Sequence, residues 1–384
     1  MDLTSIYNLH DNFKEKRLKD RFFKHQDILE LLEKLPSDFN VTEAGKSVLG
    51  KSLHLVKWGK GSTKIFLWSQ MHGDEATGTM ALFDLFNFLQ IESSTSKLLA
   101  ENCELHFLPM VNPDGAAIFT RRNAQQIDIN RDFLKEVSNE AQILKRCRAE
   151  ISPDFGFNLH DQLTTWSVKN SLKPATLSFL APAYDEDLNI DQTRKNAMLV
   201  IADIFGDLKD FLPGHIGLFD DEYEPRAFGD NFQKAGMSTI LIEAGGFKKD
   251  FEKQEIRKYY FGAILSGLIS IASRSYEKQD LENYSVIPAN NKQIFHILIH
   301  QLILDGFEVS IGINYDENPL PNGSSTSKKY VIQDIGDLSF CDAYQVISGT
   351  ELQLKGEIKI FKDANFQLLR NGEIILAFEN GDLL

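Results

Sequence analysis

Read from its N-terminus, the chain sets apolar residues three and four apart in DILELLEKL, a spacing that predicts helix over residues 1 to about 35. From about residue 40 the rhythm changes. SLHLVKWG and KIFLWSQ predict strands, EATGTMALFDLFNFLQ predicts a helix, and CELHFLPMVN another strand. EAQILKRCRAEI reads as helix and FGFNLHD as a short buried strand. ATLSFLAPA, TRKNAMLVIADIFGDL, STILIEAGG and KQEIRKYYFGAILSGLISIAS continue the alternation. Short apolar strands between amphipathic helices predict an α/β fold, with a mixed, mainly parallel central sheet covered by helices on both faces. Loops at the carboxyl ends of such strands carry the site. His72, Asn112, His160 and Glu243 all fall there.

Near residue 280 the pattern shifts again. IFHILIHQLIL, FEVSIGI, KYVIQDI and GEIKIFKDANFQLLRNGEIILAFENG are short alternating runs punctuated by Gly and Asn, and NPLPNGSSTSKK reads as a surface loop. The division expected is a first domain over 1–280, including the N-terminal helical segment, and a small β-rich domain over 281–384, a sandwich or barrel.

Composition narrows the classes. The chain has 384 residues, 41 basic and 55 acidic side chains and a net charge of −14, a balance that repels phosphate backbones and anionic lipid. Neither nucleic acid nor a membrane is expected as a partner. Three cysteines, Cys103, Cys147 and Cys341, match neither a zinc-knuckle spacing nor a disulfide framework. The N-terminal stretch is charged throughout, and no apolar run reaches membrane-spanning length. A cytoplasmic location is the expectation; oligomers are compatible with it.

Four places carry candidate chemistry. His72 and Glu75 form H-x-x-E at a strand end, where a tight turn can aim an imidazole and a carboxylate at one cation; a polar strand end is the plainer alternative. His160 ends an apolar strand, either as a packing residue or as the third donor of a His₂Glu set that leaves one zinc position open. Asp161 beside it reads as a partner of a ligand or as a solvated acid. Arg121, Arg122 and Arg131, with Asn130, sit in one loop of an acidic protein, where guanidinium groups can grip a carboxylate or steady a developing oxyanion; surface ion pairs are the alternative. Glu243 ends a buried β-branched strand before two glycines, as a general base or as an arginine's partner.

Taken in order, GKSVLGKSLHLVKWG, SQMHGDEATG, NPDG, RRNAQQIDINRDF, NLHD and LIEAGG resemble the zinc carboxypeptidase family, the M14 metallopeptidases, over about residues 40–275. The resemblance implies a carboxypeptidase-like fold and one zinc ion per chain on His72, Glu75 and His160. It places Arg121 at the scissile carbonyl, with Arg122 as the neighbouring candidate, and Asn130 and Arg131 at the substrate's terminal carboxylate. Glu243 would be the general base. Tyr223, twenty residues before it, matches the position of the family's mobile tyrosine; Arg226 and Asp230 are candidates for the specificity pocket. Gln126 stands where many members have glycine, and Asp161 replaces the usual serine after the third ligand. The C-terminal part is more loosely similar to the small β domain of metal-dependent amidohydrolases, with no catalytic residue in it.

The expected function is hydrolysis of a peptide's C-terminal residue. An N-acyl amino acid deacylase, aspartoacylase- or desuccinylase-like, shares the ligand set and is the alternative, with a small acylated amino acid as substrate. A peptide-binding protein without turnover is a third reading.

Overall fold

The computed structural model describes residues 3–304, 306–349 and 351–384. Its main sheet has eight strands: β1 (Asn40–Lys46), β2 (Ser52–Trp58), β3 (Thr63–Ser69), β4 (Cys103–Leu108), β5 (Phe155–Asp161), β6 (Leu177–Leu180), β7 (Ile216–Leu218) and β8 (Ser238–Ala244). Their spatial order is β1-β2-β4-β3-β5-β8-β6-β7. The central strands β4, β3, β5 and β8 run parallel, as do β6 and β7. Antiparallel pairings join β1 to β2, β2 to β4 and β8 to β6. The sheet is mixed with a parallel centre, as the pattern predicts.

Period-two alternation divides the core. Ile65 and Leu67 of β3 pack into one apolar cluster with the helices Thr77–Leu89 and Gln254–Ser273, while Phe66 and Trp68 face a second cluster with Leu144, Phe228 and Phe232. Both faces are covered, so β5 and β8 need no polar side and are buried almost throughout. The chain leaves β3 for β4 on one side, then crosses back to β5 on the other. That reversal opens a crevice at the carboxyl ends of β3 and β5, where an α/β sheet places its ligand.

The N-terminal reading needs correction. Among the described residues there, helix is confined to Leu3–Asn8 and His25–Leu32, with a 3₁₀ turn at His10–Asn12. The intervening chain is held differently: Arg257, fully buried, donates to the carbonyls of Glu15 (3.1 Å) and Leu18 while its guanidinium pairs with Asp84. Those carbonyls serve an arginine instead of a helical ladder.

In the C-terminal part, two four-stranded sheets face each other. The first comprises Ile294–Leu304, Phe307–Pro319, Thr326–Gly336 and Asp342–Ile347; the second Leu352–Glu357, Asn365–Arg370, Glu373–Glu379 and Asp382–Leu383. Ile299, Ile311, Ile313 and Ile332 of one interlock with Phe366, Leu368, Leu376 and Phe378 of the other in a shared core. This is a small sandwich. Before it, Tyr284 and Ile287 sink into the core of the first part, and Asn290–Asn291 pairs with Ser167–Val168, so the sandwich's own strands begin at Ile294. Arg21, 8% exposed, joins the N-terminal segment to the C-terminal sandwich through a fork onto Glu317 (2.9 and 3.1 Å). Among the described residues, no helix is long and apolar enough to cross a membrane.

Candidate metal centre and cleft

After β3 the chain makes a tight turn in which the His72 carbonyl accepts the Glu75 N–H (3.1 Å). That bond brings two side chains three residues apart to one side. Gly73 permits the turn, because a methyl there would lie 2.2 Å from the Gly115 carbonyl carbon. Asn112-Pro113-Asp114-Gly115 is not a free turn: Asn112 caps the helix Pro113–Ile118 by accepting the Gly115 N–H at 2.9 Å, with Pro113 in the first helical position.

The third donor arrives from β5. His160 Nδ1 lies 2.7 Å from Glu75 Oε2, and His72 Nδ1 lies 2.7 Å from Glu75 Oε1. The three residues are buried, with one donor atom from each lying within 4.8 Å of the others. Two imidazole nitrogens and a carboxylate suit zinc, with a fourth position left for a reacting molecule. The far side of His72 also fits. Its Nε2 meets Asp128 Oδ1 at 3.1 Å, the carboxylate–histidine arrangement that fixes a ligand's tautomer. Asp128 further takes Arg121 Nε (3.0 Å) and the Asn130 N–H (3.0 Å), so one carboxylate ties the ligand to the arginine loop.

The electrostatics follow from this crowding. Burial works to raise the Glu75 carboxyl, but the two histidines outweigh it and hold Glu75 well below the usual carboxylate range. Burial likewise depresses both imidazoles. His72 is nevertheless raised, by Glu75 and Asp128, whereas His160 stays lowered. Arg121 donates to Glu75 Oε1 at 3.1 Å and contacts His72 Nδ1 at 3.2 Å.

Glu243 and His160 are register partners on β8 and β5, so their side chains share a face of the sheet. Glu243 is buried, its Oε2 has no hydrogen-bond partner, and burial followed by the charges of Glu75 and Asp161 pushes its carboxyl well above the usual range. Asp161 is not solvated. It accepts from Thr77 Oγ1 (2.7 Å) and pairs with the buried Lys253 (2.9 Å).

All of these groups except Asp128 and Thr77 line one cavity of ≈ 1340 Å³, together with Asn130 and Arg131. Asn130 Oδ1 accepts the Phe228 N–H (2.9 Å), and Arg131 Nε lies 3.1 Å from Glu224. Two candidates stand apart from it. Arg122 turns back to the Gln126 carbonyl (2.9 Å), and the Tyr223 ring lies under Lys234 Nζ, 5.9 Å from its centroid; neither lines the cavity. Of the pocket candidates, Asp230 lines it and Arg226 pairs with Glu224. Asp128 escaped the sequence reading although it lies in the quoted IDINRD run, two residues before Asn130. The opposite wall comes from the C-terminal sandwich, through His296, Tyr315, Glu317, Lys328 and Tyr344.

Fold and donor set thus define an α/β protein with a candidate metal centre at the carboxyl edge of its sheet. Residues 25–173 match the model of the zinc carboxypeptidase family, Peptidase_M14, so the resemblance carried by the motifs holds across that stretch, which contains His72, Glu75, Arg121, Asn130, Arg131 and His160. Over 142 residues, 35% of this chain and 27% of the relative, the sequence is 32% identical to carboxypeptidase SOL1 of Arabidopsis thaliana. Over 102 residues, 26% of this chain and 19% of the relative, it is 31% identical to carboxypeptidase 2 of Trichophyton rubrum. The chain thus spans less than a third of the length of the curated relatives it matches. The fold is similar to a metallo-carboxypeptidase from Burkholderia cenocepacia (TM-score 0.52, 16% identity, 66% of this chain and 69% of that one). It is also similar to carboxypeptidase A from Helicoverpa armigera (TM-score 0.52, 14% identity, 72% and 81%).

Proposed function

We propose that the chain is a zinc-dependent metallocarboxypeptidase that removes the C-terminal residue of a peptide. The observation that carries this reading is the His72–Glu75–His160 donor set with Glu243 buried on the same sheet face, in a cavity shared with Arg121, Asn130 and Arg131. When bound, zinc supplies Lewis acidity toward a water and a carbonyl oxygen.

The residues divide the rest of the work. Glu243, with its raised proton affinity, takes the proton of the attacking water and returns it to the departing amine. Arg121, fixed by Asp128, faces charge that develops on the carbonyl oxygen. Arg131 exchanges Glu224 for the terminal carboxylate, with Asn130 beside it. A site that requires that carboxylate cuts only at the chain end. Small-molecule pockets run to about 1,000 Å³, and a cavity of ≈ 1340 Å³ favours a peptide over a single acylated amino acid.

The test is to strip the protein with a chelator, reload it with zinc, and offer peptides with free and amidated C-termini beside N-acyl amino acids, scored by mass spectrometry. Loss of single C-terminal residues from the free peptides alone is expected. Cleavage of the N-acyl amino acids alone would replace this reading with the deacylase. No turnover of any substrate would leave a binding protein.

A further inference from the structure

The glycines that follow Glu243 have different reasons. A methyl on Gly245 would lie 2.0 Å from the Ala175 carbonyl oxygen, a plain backbone approach. A methyl on Gly246 would lie 1.7 Å from the hydroxyl of Tyr344, a residue of the C-terminal sandwich. Gly246 therefore forms a notch in which that hydroxyl sits. From the notch Tyr344 donates to the Thr164 carbonyl at 2.6 Å.

Thr164 is held a second time from the same wall. His296 Nδ1 accepts the Tyr315 N–H (3.1 Å), so the ring proton lies on Nε2, which meets Thr164 Oγ1 at 2.9 Å. The ring itself is stacked between Tyr315 (centroids 3.6 Å, planes 22° apart) and Tyr344 (5.7 Å, 22°). One residue, four positions beyond His160, is thus gripped at both carbonyl and side chain by residues more than 130 positions away. The notch that receives Tyr344 lies three positions beyond Glu243.

We propose that the C-terminal sandwich is a working part of the centre. Tyr344, seated at Gly246, and His296 are positioning residues that lock the loop after His160 against the loop after Glu243, and so hold a metal donor and the base in register. This assignment concerns the same site as the proposed function, but its test needs no substrate. A hydrogen bond of this kind contributes about 1 kcal/mol, roughly a fivefold change in a local opening equilibrium. Tyr344→Phe deletes the hydroxyl and keeps the ring stack; Gly246→Ala fills the notch.

Hydrogen exchange on the full chain, with and without zinc, reads the loop directly. Exchange of residues 162–166 about fivefold or more faster in both variants, with the sandwich's own strands unchanged, is expected. Zinc affinity, measured against a chromophoric chelator, should weaken several-fold in step. Should Gly246→Ala fail to fold, Tyr344→Phe with His296→Ala gives the same two readouts. Unchanged exchange in Tyr344→Phe overturns the latch, and faster exchange with unaltered zinc affinity overturns its positioning role. If the wild-type protein cleaves no peptide, the proposed function falls, while these two measurements still decide the latch.

Discussion

Glu243 stands opposite His160 across two parallel strands, one residue for one residue, at the point where both strands leave the sheet. Side chains paired this way point to the same face, so the candidate base and a candidate metal donor owe their proximity to backbone register. A one-residue slip would send one of them to the opposite face.

Replacing Glu243 by Gln keeps the shape and removes the proposed base. Peptide turnover should fall by about 10²–10⁴-fold, while zinc binding, measured by metal analysis after dialysis, stays near one ion per chain. Retained turnover would show that another group moves the proton.

Asp128 tests the support beneath the metal site. Asp128→Ala frees His72 Nε2 and unties Arg121. Loss of such a partner weakens metal affinity about 10–100-fold. Chelator competition should show this directly, and the thermal midpoint of the zinc-loaded variant should drop toward that of the stripped protein.

Arg131 tests the proposed recognition of the chain end. A hydrogen bond to a charged group is worth about 1.5–3 kcal/mol, so Arg131→Ala should raise KM for free-acid peptides at least about tenfold. The gap between free-acid and amidated peptides should shrink with it, which a paired kinetic assay measures.

His296 gives stability a pH dependence with a definite sign. Burial, then the neighbouring Lys328 charge, pushes its imidazole down to about 4, against a partial pull upward from Glu317. Its folded pKa lies below its unfolded one, so the unfolded chain binds the extra proton first, and stability present above pH 6.5 is lost as pH falls toward about 4. The loss from this group reaches up to about 3 kcal/mol. Denaturant melts of His296→Gln at several pH values should show a shallower slope than the wild type.

Legibility in the sequence followed distance along the chain. His72 and Glu75 were readable because one turn joins them, and His160 and Glu243 because each ends a buried strand in a polar residue that the strand itself does not need. The alternation of strands and helices gave the sheet its class, since covered faces demand continuous apolar runs. Asp128 was hidden because its two partners meet it only in the folded loop, and Tyr344 because its receptor is an absent side chain at Gly246. Tyr223 was reached by counting alone, twenty residues before Glu243, and its ring lies under Lys234, outside the cavity lining. The segment between the first helices was read as helix by extension from the spacing of DILELLEKL, which holds only for the second helix, and Arg257 takes two of the segment's carbonyls.

The fork from Arg21 to Glu317 sets a limit on dissection of this chain. A fragment ending at residue 280 would keep every candidate donor and the candidate base, yet lose the nearer of the two acids that pair with a guanidinium enclosed near the chain's beginning. Such a piece would carry a cation reduced to the longer ion pair with Glu252 (3.7 Å), beside a trough stripped of its far side, and would be a poorer protein than its completeness in reacting groups suggests.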